Sequence, residues 1–474
     1  MTASRTTPRI VIAGTSSGVG KTTVTVALVR ALAAEGLKVA VFKCGPDYLD
    51  PTYHARAAKR PCHNLDGWMM GRDAVLATFR RASEDCDIAI IEGVMGLFDG
   101  ASPTGEEGST AEIAKWLGAP VVLVVDASGM ARSVAAVAQG FAGFDPAIEL
   151  AGIICNRVGS RGHLDLLRRA CASPPVLGGF AKEPELAFPE RHLGLFTADE
   201  RALSESKLAA WGKAASEWLG TSAIVERARA AREPVVGPSL ETAPPAAAPL
   251  AEERCVIALA WDEAFHFYYE DNLARLEGLG AKIVRFSPIR DGRLPEADGL
   301  YLGGGYPEVH AAALSQNGSM RAQIEHFARS GGPIYAECGG LMYLSRAIVT
   351  RDGSAHPMVG LLPVETIMKD RLVALGYVEV ETQEPTVLGP AGLRFRGHQF
   401  RYSELGAASE PTLHPYNLRK RRGGETSTEG FAAGRMLASY VHAHFASNPR
   451  LAAGLVASCA SYRQGRREGA ASCS

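Results

Sequence analysis

The sequence of 474 residues predicts an α/β protein built from two doubly wound domains. Short apolar runs, typical of strands that are buried on both faces, alternate with helical patterns on either side of a central proline-rich stretch. Residues 369–402 differ, because their short β-rich runs predict antiparallel strands. We therefore expect a parallel sheet in the N-terminal domain and a mixed sheet in the C-terminal domain.

The length of the chain exceeds what one hydrophobic core fills, so more than one domain is expected. We place the first domain at 8–228 and the second at 255–462. The segment 229–254 reads as an extended linker, because it is rich in proline and alanine. The polar, Gly/Ala/Ser-rich residues 463–474 are expected to form a disordered tail.

Composition excludes several classes of function. Lys plus Arg total 50 and Asp plus Glu total 51, with no charged block, so neither nucleic acid nor an anionic membrane is an expected partner. No apolar stretch is long enough to span a bilayer, and the N-terminus lacks the apolar run of a signal peptide. The nine cysteines form no Cys-x-x-Cys pair, which favours reduced thiols over a zinc site. A cytoplasmic enzyme is the expectation.

The predicted strands of the first domain end in polar residues. Five apolar runs predict these strands: 10–13, 38–43, 87–91, 120–125 and 150–155. Polar side chains close four of them, namely Lys43, Glu92, Asp126 and Asn156. Because ligands of doubly wound sheets bind at the carboxyl ends of the strands, we expect the chemistry of this domain along that edge.

Residues 9–23 contain a glycine-rich turn between the first strand and a helix, a pattern typical of a P-loop phosphate site. Lys21 would supply a positive charge, and the hydroxyl of Thr22 would bind Mg²⁺. The first glycine lies one residue earlier than usual, at Gly14, with Thr15 at the standard position. The candidate ATP-binding residues of the loop are Gly14, Thr15, Gly18, Gly20, Lys21, Thr22 and Thr23.

A second candidate site begins at Cys338, between a predicted strand and a predicted helix. A cysteine at such a junction meets a helix N-terminus, which is expected to lower the pKa of the thiol and favour a nucleophilic thiolate. Backbone N–H groups of Gly304, Gly305 and Gly339 are candidates for an oxyanion hole. Downstream, His442 is the candidate base for the thiol.

These residues carry family resemblances. The Cys338 elbow followed by two glycines, with His442 after Tyr-Val, resembles class I glutamine amidotransferases. Those enzymes carry a glutamate two residues after the histidine, where this chain has His444, so a Cys–His dyad is expected and the third member stays open. The longer phosphate loop resembles the dethiobiotin synthetase branch of P-loop proteins, which use ATP to activate carboxylates.

The two halves together resemble the cobyrinic acid a,c-diamide synthase family. The markers are the stretches 43–51, 92–100 and 189–194. The resemblance implies ATP- and glutamine-dependent amidation of the a and c carboxylates of cobyrinic acid in cobalamin biosynthesis. The carboxylates would pass through acyl phosphates, and ammonia would come from glutamine hydrolysis. A homodimer stays open.

The resemblance also implies roles for individual residues. It implies that the Mg²⁺ neighbours are Thr22, Asp47 and Glu92. It implies a substrate site made of Lys43, Tyr48, Asp50, Asp99, Arg191 and His192. Asn156, at the end of the fifth apolar run, is the candidate to read adenine.

Three alternatives stay open. The first keeps the same reaction class, with hydrogenobyrinic acid or nickel-sirohydrochlorin as the substrate in place of cobyrinic acid. Cobyric acid synthase, which amidates four other carboxylates, fits the stretches 43–51 and 189–194 less well. A partitioning or switch ATPase would use the phosphate loop without needing Cys338 and His442.

Overall fold

The computed structural model describes residues 6–182, 188, 203–234, 253–408 and 414–472. It divides the chain into two compact units, Met1–Ala243 and Pro244–Ser474. The division falls within the stretch 229–254, where the sequence analysis placed the linker. Each unit is described by itself.

The first unit contains a seven-stranded sheet in the order β3-β2-β4-β1-β5-β6-β7, and every pair of neighbouring strands is parallel. Its strands are β1 Arg9–Gly14, β2 Val39–Cys44, β3 Cys62–Leu65, β4 Ile88–Glu92, β5 Val121–Asp126, β6 Leu150–Val158 and β7 Val176–Ala181. Its helices are α1 Lys21–Ala34, α2 Asp50–Ala58, α3 Gly67–Met70, α4 Arg72–Ser83, α5 Thr110–Leu117, α6 Ser133–Phe144, α7 Arg161–Ala170, α8 Glu205–Trp218 and α9 Thr221–Arg229. The predicted parallel, doubly wound sheet is confirmed.

The central strands of this sheet are completely buried and place its ligand-binding edge. All residues of β1, β2 and β4 are buried, as expected for strands covered by helices on both faces. Strand β1 lies between β4 and β5, and the connections from β1 to β2 and from β4 to β5 run in opposite directions across the sheet. The carboxyl end of β1 is therefore a topological switch point, where ligands of such sheets bind.

The second unit contains a mixed six-stranded sheet in the order β20-β21-β11-β10-β8-β9, in which only the β20–β21 pair is antiparallel within the described residues. Its strands are β8 Cys255–Ala260, β9 Ala281–Phe286, β10 Gly299–Leu302, β11 Ile334–Glu337, β20 Phe431–Ala433 and β21 Met436–Ser439. Its helices are α10 Glu270–Gly278, α11 Ala311–Gln316, α12 Gly318–Arg329, α13 Gly339–Leu344 and α14 Arg450–Ser472. The predicted mixed sheet is confirmed.

Two smaller sheets complete the second unit, in the orders β13-β12-β14-β17 and β19-β18-β15-β16-β22. Their strands are β12 Ala347–Val349, β13 Ala355–Pro357, β14 Thr366–Met368, β15 Ala374–Thr382, β16 Arg394–Arg401, β17 Ser403–Leu405, β18 Tyr416–Lys420, β19 Thr426–Glu429 and β22 His442–Ala443. The long β15–β16 pair is antiparallel, as the sequence predicts for 369–402.

The C-terminal segment corrects one expectation. Residues 463–472 belong to α14 and are not a disordered tail. Arg466 lies 2.8 Å from the buried Asp298 and its guanidinium lies 5.5 Å from the ring of Tyr462, so side-chain contacts support the last turns of the helix.

In the described part of the chain, we find no helix with the length and apolar character that a membrane crossing requires.

Candidate active sites

The phosphate loop joins β1 to α1, and its geometry explains the glycines that end it. Gly20 has a φ of 95°, and a Cβ there would collide with the side-chain amide of Asn156. That amide donates a hydrogen bond to the carbonyl of Val19 at 2.8 Å. Asn156 therefore braces the loop, and its expected contact with adenine stays a prediction.

Lys21 is held by backbone carbonyls on two sides. Its Nζ donates to Ser16 O at 3.1 Å and to Met95 O at 2.5 Å. The segment after β4 reaches this position because Leu97 N donates to Gly14 O at 2.9 Å. Burial, with a smaller contribution from Lys43, lowers the pKa of the ammonium group. The ammonium group of Lys21 is thus already held beside the loop, where it can donate to an anionic ligand.

A buried cluster of charged and polar groups lies beside the loop. Lys43 Nζ lies 2.8 Å from Asp50 Oδ2 and 2.8 Å from Glu92 Oε1. The hydroxyl of Thr22 donates to Glu92 Oε1 at 2.8 Å and to Asp50 Oδ2 at 3.3 Å. His54 Nε2 lies 2.5 Å from Glu92 Oε2. Elements β2, β4, α1 and α2 thus bring together residues distant in sequence.

Lys43 and Glu92 favour their charged forms in this cluster. Burial opposes the charge on Lys43, but Asp50 and Glu92 outweigh it and raise the pKa of the ammonium group. Burial would likewise raise the pKa of Glu92, yet Lys43 and His54 bring it below its usual value. A buried ion pair needs such mutual compensation, because each charge alone would be strongly disfavoured away from water.

The two aspartates at the start of α2 make different contacts. Asp47 Oδ1 accepts backbone N–H groups of Leu49 and Asp50 at 2.7 and 3.1 Å, so it stabilises the start of α2. Burial and the neighbouring Asp50 raise its pKa to about 6. Asp50, expected at the substrate, is the aspartate that contacts Thr22. The role of Asp47 as a metal neighbour stays a prediction.

Other predicted residues of this site differ in placement. Asp99 Oδ2 accepts the backbone N–H of Gly96 at 2.8 Å and so closes the turn after β4. Tyr48 lies in the loop between Asp47 and Asp50. Arg191 and His192 lie outside the described residues.

His54 is a residue of the cluster that the sequence analysis did not identify. The available signal was its spacing, because it lies one helical turn after Asp50 on α2 and therefore on the same face.

The donors at this site suit Mg²⁺ bound with a nucleotide. No three His, Cys, Asp or Glu side chains in the described ranges form a ready-made metal cage. Mg²⁺ typically uses one or two carboxylates together with phosphate oxygens and waters. The hydroxyl of Thr22 with the carboxylates of Asp50 and Glu92 meets that requirement.

Cys338 occupies a strained elbow in the second unit. It follows β11, precedes α13 and has a φ of 48° and a ψ of −98°, an unfavourable conformation for a residue with a Cβ. Its backbone N–H donates to Ser439 O at 2.7 Å, which joins the elbow to the segment that leads to His442. Such strain is typical of a nucleophile held on a sharp turn between a strand and a helix.

The environment of the thiol corrects the expected direction of its pKa. Burial, followed by the nearby carboxyl group of Glu308, raises the pKa of Cys338 to about 12. The effect of the helix N-terminus is smaller, because α13 has only six residues and the thiol is largely removed from water. In the unliganded protein the thiol is protonated and needs a base.

His442 and the predicted glycines lie around the elbow. A Cβ at Gly304 would collide with the ring of His442, so the imidazole packs directly on the triple-glycine turn. A Cβ at Gly339 would lie 3.1 Å from the backbone nitrogen of Gly305. Burial, followed by His398, lowers the pKa of His442 to about 3, so the ring is neutral in the unliganded protein, and the low pKa also makes it a weak base there.

His444, at the position where class I glutamine amidotransferases carry a glutamate, packs beside Tyr269. Its ring lies 4.7 Å from that of Tyr269, and its Nδ1 accepts the backbone N–H of Ala446 at 3.3 Å. Burial lowers its pKa to about 4. The buried Glu337 was not among the predicted site residues; it precedes Cys338 and accepts the backbone N–H of Ala443 at 3.0 Å. The available signal was a carboxylate at the end of an apolar strand.

The raised pKa of Cys338 predicts slow alkylation in the unliganded protein. The rate of iodoacetamide addition to Cys338, followed by mass spectrometry of its peptide, should rise about tenfold per pH unit from about pH 7 to 9, because the thiolate fraction grows in that proportion below the pKa. A rate that levels off in this range would show that the thiol is already ionised.

Both halves of the chain match known families. Residues 10–194 match the model described as the CobQ/CobB/MinD/ParA nucleotide binding domain. Residues 256–450 match the model described as the CobB/CobQ-like glutamine amidotransferase domain. The phosphate loop lies in the first range and Cys338 with His442 in the second.

Similar proteins extend over nearly the full chain. A protein of Leptospira interrogans is 54% identical over 453 residues, which are 95% of this chain and 98% of the relative. A protein of Syntrophotalea carbinolica is 50% identical over 462 residues, with coverage of 95% and 98%. A protein of Dehalococcoides mccartyi is 45% identical over 455 residues, with coverage of 94% and 96%. All three bear the name cobyrinate a,c-diamide synthase.

Proposed function

Because the chain belongs to the cobyrinate a,c-diamide synthase family, we propose that it amidates the a and c carboxylates of cobyrinic acid with ATP and glutamine. The observation that carries this proposal is the pairing in one chain of two sites. One is a phosphate loop beside the buried Lys43–Asp50–Glu92 cluster, and the other is Cys338 on a strained elbow near His442. Neither site alone accounts for a glutamine-dependent ligase.

In the first unit, we propose that ATP binds with its phosphates on the loop and on Lys21. An oxygen of the substrate carboxylate attacks the γ-phosphorus, the bond to ADP breaks, and an acyl phosphate forms. Lys21 offsets negative charge on the transferred group, and Lys43, a buried cation beside the loop, is the proposed partner of the incoming carboxylate. Thr22, Asp50 and Glu92 are the proposed neighbours of Mg²⁺, which would neutralise charge on the phosphates.

In the second unit, we propose that Cys338 Sγ attacks the side-chain amide carbon of glutamine. His442 accepts the thiol proton and delivers it to the leaving nitrogen, so ammonia departs and a glutamyl thioester remains. Water then attacks the thioester, glutamate leaves, and the proton returns to Sγ. N–H groups of Gly304, Gly305 and Gly339 are the proposed donors to the oxyanion.

The two reactions meet at the acyl phosphate. Ammonia attacks its carbonyl carbon, inorganic phosphate leaves, and the carboxylate has become a carboxamide. Ammonia is required unprotonated, because ammonium has no free electron pair for the attack. Repetition at the second carboxylate gives the diamide.

Mass spectrometry of the products tests the substrate. Cobyrinic acid incubated with ATP, Mg²⁺ and glutamine should yield a product in which two hydroxyl groups are replaced by two amino groups. Four replacements would indicate a cobyric acid synthase. Conversion of hydrogenobyrinic acid or nickel-sirohydrochlorin, with cobyrinic acid untouched, would assign one of those rings instead. ATP consumption independent of both ring and glutamine would favour a switch ATPase.

A further inference from the structure

The backbone on either side of His442 is held by two different kinds of partner. Strand β22 pairs antiparallel with β16, with Ala443 opposite Gly397 and His442 opposite His398. His444 N donates to Arg396 O at 3.2 Å. Since hydrogen-bonded and non-bonded pairs alternate in an antiparallel ladder, the amide and carbonyl of Ala443 point away from β16. Their partners have to come from another element.

Two buried side chains supply those partners. Glu337 Oε1 accepts the backbone N–H of Ala443 at 3.0 Å, and Asn272 Nδ2 donates to the carbonyl of Ala443 at 2.8 Å. Asn272 Oδ1 also accepts the N–H of Phe445 at 2.7 Å. Both side chains are almost inaccessible to solvent. The backbone N–H and the carbonyl of Ala443 are therefore both hydrogen-bonded to buried side chains.

Glu337 is itself fixed in place. The hydroxyl of Tyr335 donates to Oε1 at 2.6 Å, and the hydroxyl of Tyr301 donates to Oε2 at 2.9 Å. Within the described ranges no cation forms an ion pair with it, and burial raises its pKa to about 7. A carboxyl group buried without a cation is unfavourable for the fold, since an apolar side chain would avoid the desolvation. This cost points to a role beyond packing.

The position of Glu337 in the chain indicates what this role is. Glu337 immediately precedes Cys338, so the same residue is bonded to the elbow of the nucleophile and hydrogen-bonded to the neighbour of the base. A shift of Ala443 would therefore change the position of His442 relative to Cys338.

We propose that Glu337, with Asn272 on the opposite side, is a positioning residue that sets the distance between Cys338 and His442 by holding the backbone of Ala443. The inference rests on the proposed glutaminase reaction and deepens it. Glu337 touches no reacting atom and acts through Ala443. A displacement of about 1 Å between nucleophile and base is enough to lower a rate about 10²-fold.

Three substitutions of Glu337 separate the effects of its side-chain length, its charge and its packing. Glu337→Gln keeps an acceptor oxygen at the same reach, Glu337→Asp keeps the carboxylate but withdraws it from Ala443, and Glu337→Met keeps the length without an acceptor. The matched control is Asp298→Asn. Asp298 is a buried carboxylate of the same unit that also accepts a backbone N–H, from Val256 at 2.8 Å, but it precedes β10 at the opposite end of the sheet.

Glutaminase kcat and KM are measured beside ammonia-dependent amidation. We expect Asp and Met at position 337 to lower glutaminase kcat about 10²-fold, with KM changed less than about threefold. The Gln variant and the Asp298→Asn control should stay within about threefold of wild type in kcat. Ammonia-dependent amidation should be unchanged in all four variants.

Three results would overturn the inference. They are wild-type kcat in a folded Asp or Met variant, an equal loss in the Gln variant, and a loss of ammonia-dependent amidation that parallels the loss of glutaminase. If Glu337→Met does not fold, Glu337→Asp, which keeps a polar group, decides. A wild-type protein without glutaminase activity would instead refute the proposed function, which keeps the two failures distinct.

Discussion

Cys338→Ala is expected to abolish glutamine-dependent amidation while ammonium salts still support it. The variant lacks the sulfur that forms the glutamyl thioester, but the phosphate loop, Lys21 and Lys43 belong to the other unit and are untouched. Removal of a covalent nucleophile typically costs several orders of magnitude in kcat. Product formation with each nitrogen donor, followed by mass spectrometry, gives the two rates side by side.

Cys459→Ala is the matched control for that variant. Cys459 is a buried cysteine of the same unit that packs against Gly299 at the start of β10, away from the elbow. It should retain both activities. Near wild-type glutamine hydrolysis by Cys338→Ala would remove Cys338 from the mechanism.

The base is tested with the two late histidines. His442→Ala should lower glutamine use far more than His444→Ala, because His442 packs on the triple-glycine turn and His444 faces Tyr269. The reverse order would transfer the role of base to His444.

Lys21→Ala is expected to lower amidation at least about 10²-fold with either nitrogen donor, because loss of charge stabilisation on a transferring phosphoryl group acts before ammonia attacks. Lys21 is the loop residue whose ammonium group lies 3.1 Å from Ser16 O. Glutaminase activity, measured as glutamate release, should persist. The measurement is ADP release and product formation under glutamine and under ammonium.

Lys38→Ala controls for the loss of a lysine from the same unit. Lys38 is exposed and precedes β2, at the end of the sheet opposite to Lys43. It should leave both activities intact. Full ammonia-dependent amidation by Lys21→Ala would contradict the proposed phosphate site.

Local patterns in the sequence were sufficient to predict the architecture, and they indicated two candidate sites. Uninterrupted apolar runs such as 88–91 predict buried parallel strands, because only strands covered on both faces tolerate them. The phosphate loop and the Cys338 elbow were recognisable because strand, tight turn and helix are contiguous in the chain. The segment 463–472 was mispredicted, because the contact of Arg466 with the buried Asp298 comes from a distant part of the chain.

Tertiary structure alone decided which groups meet and how they ionise. The sequence shows Asp47 and Asp50 three residues apart but not their different contacts. In the folded chain Asp50 forms an ion pair with Lys43, whereas Asp47 accepts the backbone N–H of Leu49 at the start of α2. A helix N-terminus predicts a low pKa for Cys338, whereas burial, which no local pattern reveals, raises it. The bond from Glu337 to Ala443 joins positions 106 residues apart. Chemistry that depends on contiguous residues is therefore readable from this sequence, while desolvation and long-range hydrogen bonds exist only once the chain has folded.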